Sequence, residues 1–439
     1  GAAPFAQHHY PFAPDSIARV DDYIGREQKH RSEAMCDFIA EGLDQTRGWF
    51  YTLLVLSTAL FDVAPARNIL TVGLVLDSQK RKISKKLGNY VDVEQLLEIH
   101  GTDAIRLYIL QSGITNAEPL AFKEDDLQII TKTLFQFKNC CDFLAEHITN
   151  MQHQGFVFNP IGYLTPTTNA DILNPMDKWI ICYMNDLTMR ITRAMDSYNL
   201  ALATRALLDG VENITNWYLK FNRDRLKGKS GVDEWHVAAS VLFQVISKWC
   251  ILAAPFAPFF SQWIYQQLLT HDTSTKTVIR WIHQLRYAEC IQLHEQNADS
   301  IAQSLNTFDL LQRVARMVRA ARMRTSTHTS NKTPIKYLQI CMDNPAGLEM
   351  ISSCIDLIQA ELNVIDIAYA PLEANMTYHA VPNKALLGKK YRKQAGDIYK
   401  ALEAIPPLTK AKANDKDDTI GNDNITTLTS YRNIKILLF

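Results

Sequence analysis

The apolar pattern of the first hundred residues changes from strand-like to helix-like and back. The segments CDFIAEG at 36–42 and NILTVGLVL at 68–76 predict strands, and RGWFYTLLVLSTALF at 47–61 predicts a helix between them. The run NILTVGLVL does not alternate, which is typical of a strand buried on both faces of a parallel sheet. Strand, helix and strand together predict one crossover unit of an open α/β sheet.

Helical spacing of apolar residues dominates from about residue 92. Asp92 and Gln95 predict a capping box at the start of a short helix that Gly101 ends. Further helices are predicted at 124–148, from Pro175 after the N-cap Asn174, and at 233–253. Two stripes mark the predicted buried faces: Ile180, Met184, Leu187, Ile191 and Met195, then Leu207, Val211, Ile214, Tyr218 and Phe221. Residues 175–270 are therefore predicted to form a helix bundle.

The last third of the chain has a mixed pattern. A basic amphipathic helix is predicted at about 305–324, followed by a strand–helix–strand piece across 336–370 and a polar, mobile loop at 411–424. The predicted fold is α/β plus α. We expect three domains, an α/β domain at 1–125, a helical domain at 126–303 and a small mixed α/β domain at 304–439.

Composition limits the class of protein and of partner. The 439 residues are 47% hydrophobic, which indicates a globular chain, and Lys plus Arg equals Asp plus Glu at 46 each. Any anionic partner must therefore be held by local clusters. The eight cysteines include no Cys-x-x-Cys pair, which favours a reducing compartment without structural zinc. The apolar run at 49–61 is shorter than the ~20 residues of a membrane span, so we expect a cytosolic protein with no membrane partner.

The segment KRKISKKLGNY at 80–90 places five cations within seven positions, directly after the second predicted strand. A loop at the carboxyl end of a parallel strand lies where open α/β sheets bind ligands. Lysine ammonium groups in such a loop can stabilise the charge that develops on the phosphates of ATP. The alternative is a solvated basic turn, which is the commoner origin of a Lys-rich heptamer.

Two motifs favour the ligand-binding interpretation. KISKK at 82–86 resembles the KMSKS signature of class I aminoacyl-tRNA synthetases, and DFIAEGLDQTRGWF at 37–50 is similar to the strand-to-helix segment of eukaryotic-type isoleucyl-tRNA synthetases. GAAPFAQHHYPF, HGTDAIRLYIL, NWYLKFNRDRLKG, LAAPFAPF, TPIKYLQI and PNKALLGKKY resemble further stretches found in that order in the family. The resemblance covers about residues 1–400. It implies the carboxyl-terminal part of a Rossmann-like catalytic domain, then an α-helical anticodon-binding bundle, then a small α+β region.

The resemblance assigns the basic loop to catalysis. Lys82 and Lys85 correspond to the two signature lysines, Lys85 is expected on the ATP phosphates, and Ser84 orients the loop through its own backbone. Ile83 replaces the signature methionine with a residue of similar volume. Lys86 replaces the final serine, as a basic residue does in eukaryotic-type members. Magnesium is implied together with ATP, without a recognisable protein site.

The segment after the first strand is expected to contact the isoleucyl-adenylate. The expected contacts are Glu41, Gly42, Asp44 and Gln45. Asp44 is also a candidate cap for the following helix, so a structural role remains open. The wall of the substrate pocket is expected from Pro4, Phe5 and Gln7, which would otherwise be interpreted as loop packing.

The resemblance also assigns the bundle to the anticodon arm of tRNA. The expected phosphate contacts at the end of its second helix are Lys220, Arg223, Arg225 and Lys227. The neighbouring Trp217 and Tyr218 are expected in the core rather than stacked on RNA bases, because Tyr218 lies on an apolar stripe. A second basic region remains equally open as a phosphate-binding face or a solvated surface; its arginines are Arg313, Arg316, Arg319, Arg322 and Arg324.

The resemblance implies an isoleucine–tRNA ligase, which activates L-isoleucine with ATP and transfers it to tRNA(Ile). Other synthetases in a complex are a further partner that the resemblance allows. Because the sequence contains no His-x-Gly-His tetrapeptide and no editing region, we expect a carboxyl-terminal portion that is not competent alone. Two alternatives stay open: a non-catalytic tRNA-binding paralogue that retains only the bundle, and a helical scaffold that binds protein.

Overall fold

The fold is described in a computed structural model for residues 2–15, 36–84, 86, 88–89, 92–160, 172–271, 281–287, 298–324, 333–342, 345–352, 354–371, 377–378, 408–409 and 434–438. These residues belong to two compact units, Gly1–Gln296 and Asn297–Phe439.

The first unit contains the predicted strand–helix–strand element. After a short helix α1 (Ala3–Ala6), strand β1 (Cys36–Gly42) is followed by helix α2 (Trp49–Phe61) and strand β2 (Ala66–Val72). The two strands pair in parallel, with Glu41 opposite Thr71 and Gly42 opposite Val72. Helix α2 packs through a stripe of residues at helical spacing, namely Phe50, Leu53, Ser57 and Phe61. The predicted crossover unit is thus confirmed.

The apolar run at 68–76 does not form one strand buried on both faces, and that prediction was wrong. Strand β2 ends at Val72, and strand β3 (Val75–Leu76) pairs in parallel with strand β4 (Leu120–Ala121) in a separate sheet. The break occurs at Gly73, whose N–H donates to the carbonyl of Ile114 at 2.7 Å. A Cβ atom on Gly73 would lie 2.0 Å from the carbonyl oxygen of Glu118, so only glycine permits this approach.

Two short helices connect the α/β part to the bundle. Helix α3 (Val93–His100) begins at Asp92, whose Oδ1 accepts hydrogen bonds from the backbone N–H groups of Glu94 and Gln95. It ends at Gly101, which has a positive φ of 78°. Helix α4 (Thr102–Leu110) follows. Asp92 is therefore the N-cap and Gly101 the C-terminal glycine, as predicted, but Asp92 caps the helix without the reciprocal Gln95 bond of the predicted capping box.

The bundle consists of α5 (Glu124–His153), α6 (Pro175–Asp196), α7 (Leu200–Glu212), α8 (Arg223–Leu226), α9 (Val232–Ala253) and α10 (Pro258–Leu269). Helix α7 continues into a π-helical segment, Asn213–Leu219. Helix α6 begins with the predicted Asn174 cap, which forms a reciprocal capping box with Asp177. Both predicted stripes face the core, although Met195 and Phe221 at their ends are only half-buried.

Helix α9 is the central helix of the bundle. It is long and apolar enough to cross a membrane by length and composition, but 83% of its most apolar window is buried inside the structure. Its indole side chain Trp249 is fully buried, and the indole N–H donates to the carbonyl of Leu207 on α7 at 3.0 Å. The apolar character of α9 is therefore explained by packing within the bundle.

The second unit packs helices on a three-stranded sheet. Helix α11 (Ala298–Arg324) precedes strand β5 (Ile335–Met342), helices α12 (Pro345–Ser352) and α13 (Ile355–Leu362), and strand β6 (Val364–Pro371). Strand β5 pairs in parallel with β6 and antiparallel with β9 (Ile434–Leu438). Strands β7 (Thr377–Tyr378) and β8 (Leu408–Thr409) form a separate antiparallel pair. The loop predicted at 411–424 lies outside the described residues.

The arginines of α11 divide between the interior and the surface of the second unit. Arg322 is buried and donates to the carbonyls of Thr333 and Leu362, and Arg319 pairs with Glu361. Arg313 is exposed and pairs with Asp309 on its own helix. Part of the basic pattern thus serves the packing of this unit rather than a phosphate-binding face.

Candidate functional site

The predicted adenylate contacts follow the carboxyl end of β1. Glu41 and Gly42 end the strand, and Asp44 and Gln45 lie in the 3₁₀ turn Leu43–Arg47. The Gln45 side chain donates to Asp44 Oδ2 at 3.2 Å and accepts from the backbone N–H of Trp49, the first residue of α2, at 2.7 Å. The bond to the start of α2 is therefore made by Gln45, not by Asp44. Asp44 is exposed at the carboxyl edge of the strand.

Gly42 has a steric reason to be glycine. A Cβ atom at this position would lie 2.6 Å from Asp44 Oδ1, so a side chain here would displace the carboxylate. The missing side chain therefore keeps Asp44 and Gln45 in contact and leaves the backbone of the strand end accessible.

The basic loop is held together by Asp77, the first residue after β3. Asp77 Oδ1 accepts from the backbone N–H groups of Gln79 and Arg81, at 3.0 and 2.8 Å. Asp77 Oδ2 accepts from Arg81 Nε at 2.8 Å and from Asn89 Nδ2 at 2.9 Å. These bonds, led by that from Asn89, lower the pKa of Asp77 to about 2. The carboxylate therefore stays ionised and ties the two ends of the loop together.

Asn89 completes this arrangement from the other end of the loop. Its amide donates to the carbonyl of Lys82 at 3.2 Å and its Oδ1 accepts from the N–H of Ser84 at 2.9 Å. Ser84 Oγ accepts from the N–H of Lys86 at 3.2 Å, which confirms that Ser84 bonds to the backbone of its own loop. We refer to the Asp77–Asn89 contact and its backbone bonds as the loop clasp.

The signature lysines themselves are unequally described. Lys82 is exposed, and its backbone forms an antiparallel bridge with Leu76 that fixes where its side chain leaves the loop. Lys85 lies outside the described residues. Sequence reasoning missed Asp77, although an acid directly after an apolar strand and an asparagine after Gly88 are both typical of hydrogen-bonded turns.

Topology relates the two predicted nucleotide-binding segments. Glu41 and Gly42 are paired with Thr71 and Val72, so the first segment leaves the carboxyl end of β1 beside the carboxyl end of β2, whereas the basic loop follows β3 in the other sheet. Asp77 follows Val72 by five residues, which span at most about 18 Å of extended chain. The carboxyl edge of this strand pair is where open parallel sheets bind ligands.

The predicted pocket-wall residues belong to the amino-terminal segment. Pro4 and Phe5 lie in α1, but their side chains are outside the described residues, and Gln7 is exposed just after this helix. The segment reaches α2 through Tyr10, whose ring centroid is 5.6 Å from that of Phe61. This contact is at the carboxyl end of α2, whereas the Gln45–Trp49 contact is about 18 Å away at its amino end.

Among the four predicted phosphate-binding cations, Arg225 has a distinct environment. Its guanidinium donates to both carboxylate oxygens of Asp177, at 3.0 and 2.9 Å, and to Glu234 at 2.6 Å. The Asp177 side chain is fully buried and also accepts from the Tyr218 hydroxyl at 2.6 Å. Arg225 is thus engaged inside the bundle, which its neighbours in sequence did not indicate. Lys220, Arg223 and Lys227 are exposed.

The two aromatic residues beside these cations are in the core, as predicted. Trp217 and Tyr218 are both buried. Burial, followed by the charge of Asp177, raises the pKa of Tyr218 well above its ordinary value, so the hydroxyl remains a hydrogen-bond donor to that carboxylate. Any RNA contact at this end of the bundle must therefore come from other side chains.

Comparison with known proteins gives consistent matches. A family model described as tRNA synthetases class I (I, L, M and V) matches residues 15–121, and one described as the anticodon-binding domain of tRNA ligase matches residues 177–337. The cytoplasmic isoleucine–tRNA ligase of Schizosaccharomyces pombe is 35% identical over 417 residues, covering 92% of this chain and 36% of the relative. That of Saccharomyces cerevisiae is 33% identical over 426 residues, covering 94% and 37%.

A third relative covers the whole chain. The probable cytoplasmic isoleucine–tRNA ligase of Dictyostelium discoideum is 32% identical over 442 residues, covering 100% of this chain and 39% of the relative. The chain therefore spans little more than a third of the length of these curated relatives.

Proposed function

Because the chain belongs to the class I tRNA synthetases, we propose that it is the part of an isoleucine–tRNA ligase that carries the ATP-phosphate loop and the anticodon-binding bundle. In the proposed reaction the carboxylate of L-isoleucine attacks the α-phosphate of ATP, forming isoleucyl-adenylate and releasing pyrophosphate. A terminal ribose hydroxyl of tRNA(Ile) then attacks the activated carbonyl and releases AMP. The proposed location is the cytoplasm, which the names of the relatives support.

The loop clasp is the observation that supports the ATP-binding role best. It holds a run of cations in a defined turn at the carboxyl end of β3, so the positive charge is preorganised rather than spread over a mobile segment. In the proposal Lys82 and Lys85 contact the β- and γ-phosphates. In the proposal Mg²⁺ accompanies ATP as part of the substrate.

The strand-end residues take the nucleoside and aminoacyl side of the adenylate in this proposal. The Gln45 amide fixes the Asp44 carboxylate next to it, and a carboxylate in that position is an acceptor for ribose hydroxyls. Glu41 and the backbone of Gly42 contact the adenylate, while Pro4, Phe5 and Gln7 line the isoleucine pocket. The catalytic domain is proposed as Rossmann-like at 1–125, followed by an anticodon-binding domain at 126–303 and a small mixed domain at 304–439.

The ATP-phosphate role is tested in the longer protein that contains this chain, by isoleucine-dependent ATP–pyrophosphate exchange. We expect Lys82→Ala and Lys85→Ala each to lower the exchange rate about 10²- to 10³-fold, the effect of losing one preorganised electrostatic contact. Lys80→Ala, which removes an exposed cation outside the signature, is the matched control and should retain the rate. Equal rates for all three variants would return the loop to a solvated basic turn.

The tRNA-binding role rests on Lys220, Arg223 and Lys227, with Arg225 holding their segment on the bundle. The test is filter binding of a tRNA(Ile) transcript at several salt concentrations. The logarithm of the association constant should fall linearly with the logarithm of the salt concentration, with a slope of about −0.9 per phosphate contacted in duplex segments and somewhat less in single strands. A steep salt dependence of tRNA binding, together with no ATP–pyrophosphate exchange by the longer protein, would favour the non-catalytic tRNA-binding paralogue. A flat salt response would favour the protein-binding scaffold. Association with other synthetases stays a prediction.

A further inference from the structure

The turn at 223–227 separates its cations into an inner and an outer set. Arg225 faces inward, where it is held by Asp177 and Glu234. Arg223 and Lys227 are both exposed and are four residues apart, so they lie on the same side of the turn. The buried ion pair of Arg225 therefore determines which way this outer pair points.

Helix α5 faces this outer pair with two side chains that the sequence did not single out. The Cζ atom of Arg223 lies 5.3 Å from the centroid of the Phe143 ring. One helical turn further along α5, the His147 ring is 4.2 Å from the Phe143 ring in an edge-to-face arrangement of 68°. Phe143 and His147 are half-buried, so each presents part of its ring to solvent. We name these four residues, Phe143, His147, Arg223 and Lys227, the α5–α8 surface.

We propose that the α5–α8 surface binds a backbone phosphate of the RNA between Arg223 and Lys227, with Phe143 orienting Arg223 and His147 donating a hydrogen bond to the bound phosphate. This inference rests on the proposed tRNA-binding function and adds two residues of α5 to it. Contact with an aromatic face restricts the planar guanidinium, which can then present two parallel N–H groups to a phosphate.

The charges around His147 couple RNA binding to protonation. Burial is the largest cause of the lowered pKa of His147; Glu146 acts in the opposite direction, and the positive charges of Lys227 and Arg223 lower the pKa further. The imidazole is therefore neutral in the unbound protein near neutral pH. A phosphate bound at Arg223 and Lys227 neutralises the cations that oppose protonation and itself favours an imidazolium. Binding should then be accompanied by proton uptake, so RNA should bind more tightly as the pH falls.

The test uses the 439-residue chain and a tRNA(Ile) transcript, with dissociation constants measured at pH 8 and pH 6 at constant ionic strength. We expect the wild-type affinity to increase about two- to fivefold between these values, the range for one additional exposed charge pair. His147→Gln should abolish most of this increase. His153→Gln, at the exposed end of the same helix, should keep the wild-type pH dependence.

Two further variants test the geometry of the surface. Arg223→Gln should reduce the salt slope by about 1, and Phe143→Leu should weaken binding at pH 8 although it removes no charge. Circular dichroism melting of each variant confirms that the bundle is folded. Equal pH dependence in wild type and His147→Gln overturns the role of His147, and unchanged binding by Phe143→Leu overturns that of Phe143. If the wild-type chain binds no tRNA at any pH, the proposed function itself fails and this inference with it.

Discussion

Replacing Arg225 with methionine should strongly destabilise the first unit. The substitution keeps an unbranched apolar stem but removes the guanidinium that contacts Asp177 and Glu234. The Asp177 side chain is fully buried, and after the substitution it retains only the Tyr218 hydroxyl at 2.6 Å and the backbone N–H of Asn174 at 3.2 Å. Removing one partner of a buried ion pair costs about 3–5 kcal/mol, so we expect a loss of that size in the free energy of unfolding.

The measurement is urea denaturation followed by tryptophan fluorescence. All seven tryptophans lie before residue 282, so the signal reports on the first unit alone. Lys229→Met is the matched control, because it removes a cation from the same stretch of chain whose partner Asp224 is exposed. The control should leave the denaturation midpoint nearly unchanged, since exposed ion pairs contribute little.

A double variant separates the ion pair from general packing. Asp177→Asn with Arg225→Met removes both charges, so its cost should be smaller than the sum of the two single variants by about 0.5–3 kcal/mol. A cost for Arg225→Met no larger than that of Lys229→Met, or strictly additive costs in the double variant, would refute the assignment of Arg225 to the interior.

Three other outcomes follow from the structure. Gly73→Ala should lower the stability of the first unit by about 1–3 kcal/mol in the same urea assay, because its Cβ would overlap the Glu118 carbonyl; an unchanged midpoint would show that the approach is not tight. Asp77→Ala and Asn89→Ala each remove one partner of the loop clasp, so both should be cleaved by trypsin within residues 80–86 faster than the control Ser78→Ala. The cleavage rates are followed by mass spectrometry, and equal rates in the three variants would contradict the loop clasp. Burial lowers the pKa of His236 below 6.5, so on acidification the unfolded chain takes up a proton at this residue before the folded chain does. The free energy of unfolding should therefore decrease as the pH is lowered from about 6.5, and it should decrease less in His236→Phe. Parallel pH profiles of the two proteins would exclude His236 as the cause.

Local signals in the sequence were sufficient for much of the helical part. The Asn174 cap, the Asp92 cap and the two apolar stripes depend on residues within one or two turns, so they could be predicted without knowing the fold. The same holds for the parallel pair of β1 and β2, whose intervening helix has a clear apolar pattern.

Contacts between distant residues could not be predicted in this way. Arg225 resembles its exposed neighbours in sequence, and only its partner 48 positions earlier, Asp177, reveals that it is internal. The break at Gly73 likewise depends on a turn about 45 residues later in the chain. Asp77 and Asn89 are separated by 12 positions that include the whole basic run, so neither could be recognised as its anchor from spacing alone.

The contacts near the two ends of α5 limit which insertions the helix can accept between them. The helix runs for 30 residues, or about 45 Å. Near one end Thr131 bonds to His100 of α3 at 2.9 Å, and toward the other end Phe143 and His147 meet α8. One residue inserted between these points would rotate the second contact by about 100° around the axis, whereas seven would return it to within about 20° of its original direction. An insertion that keeps the direction of the second contact must therefore add close to a whole number of helical turns, as about 7, 11 or 18 residues do.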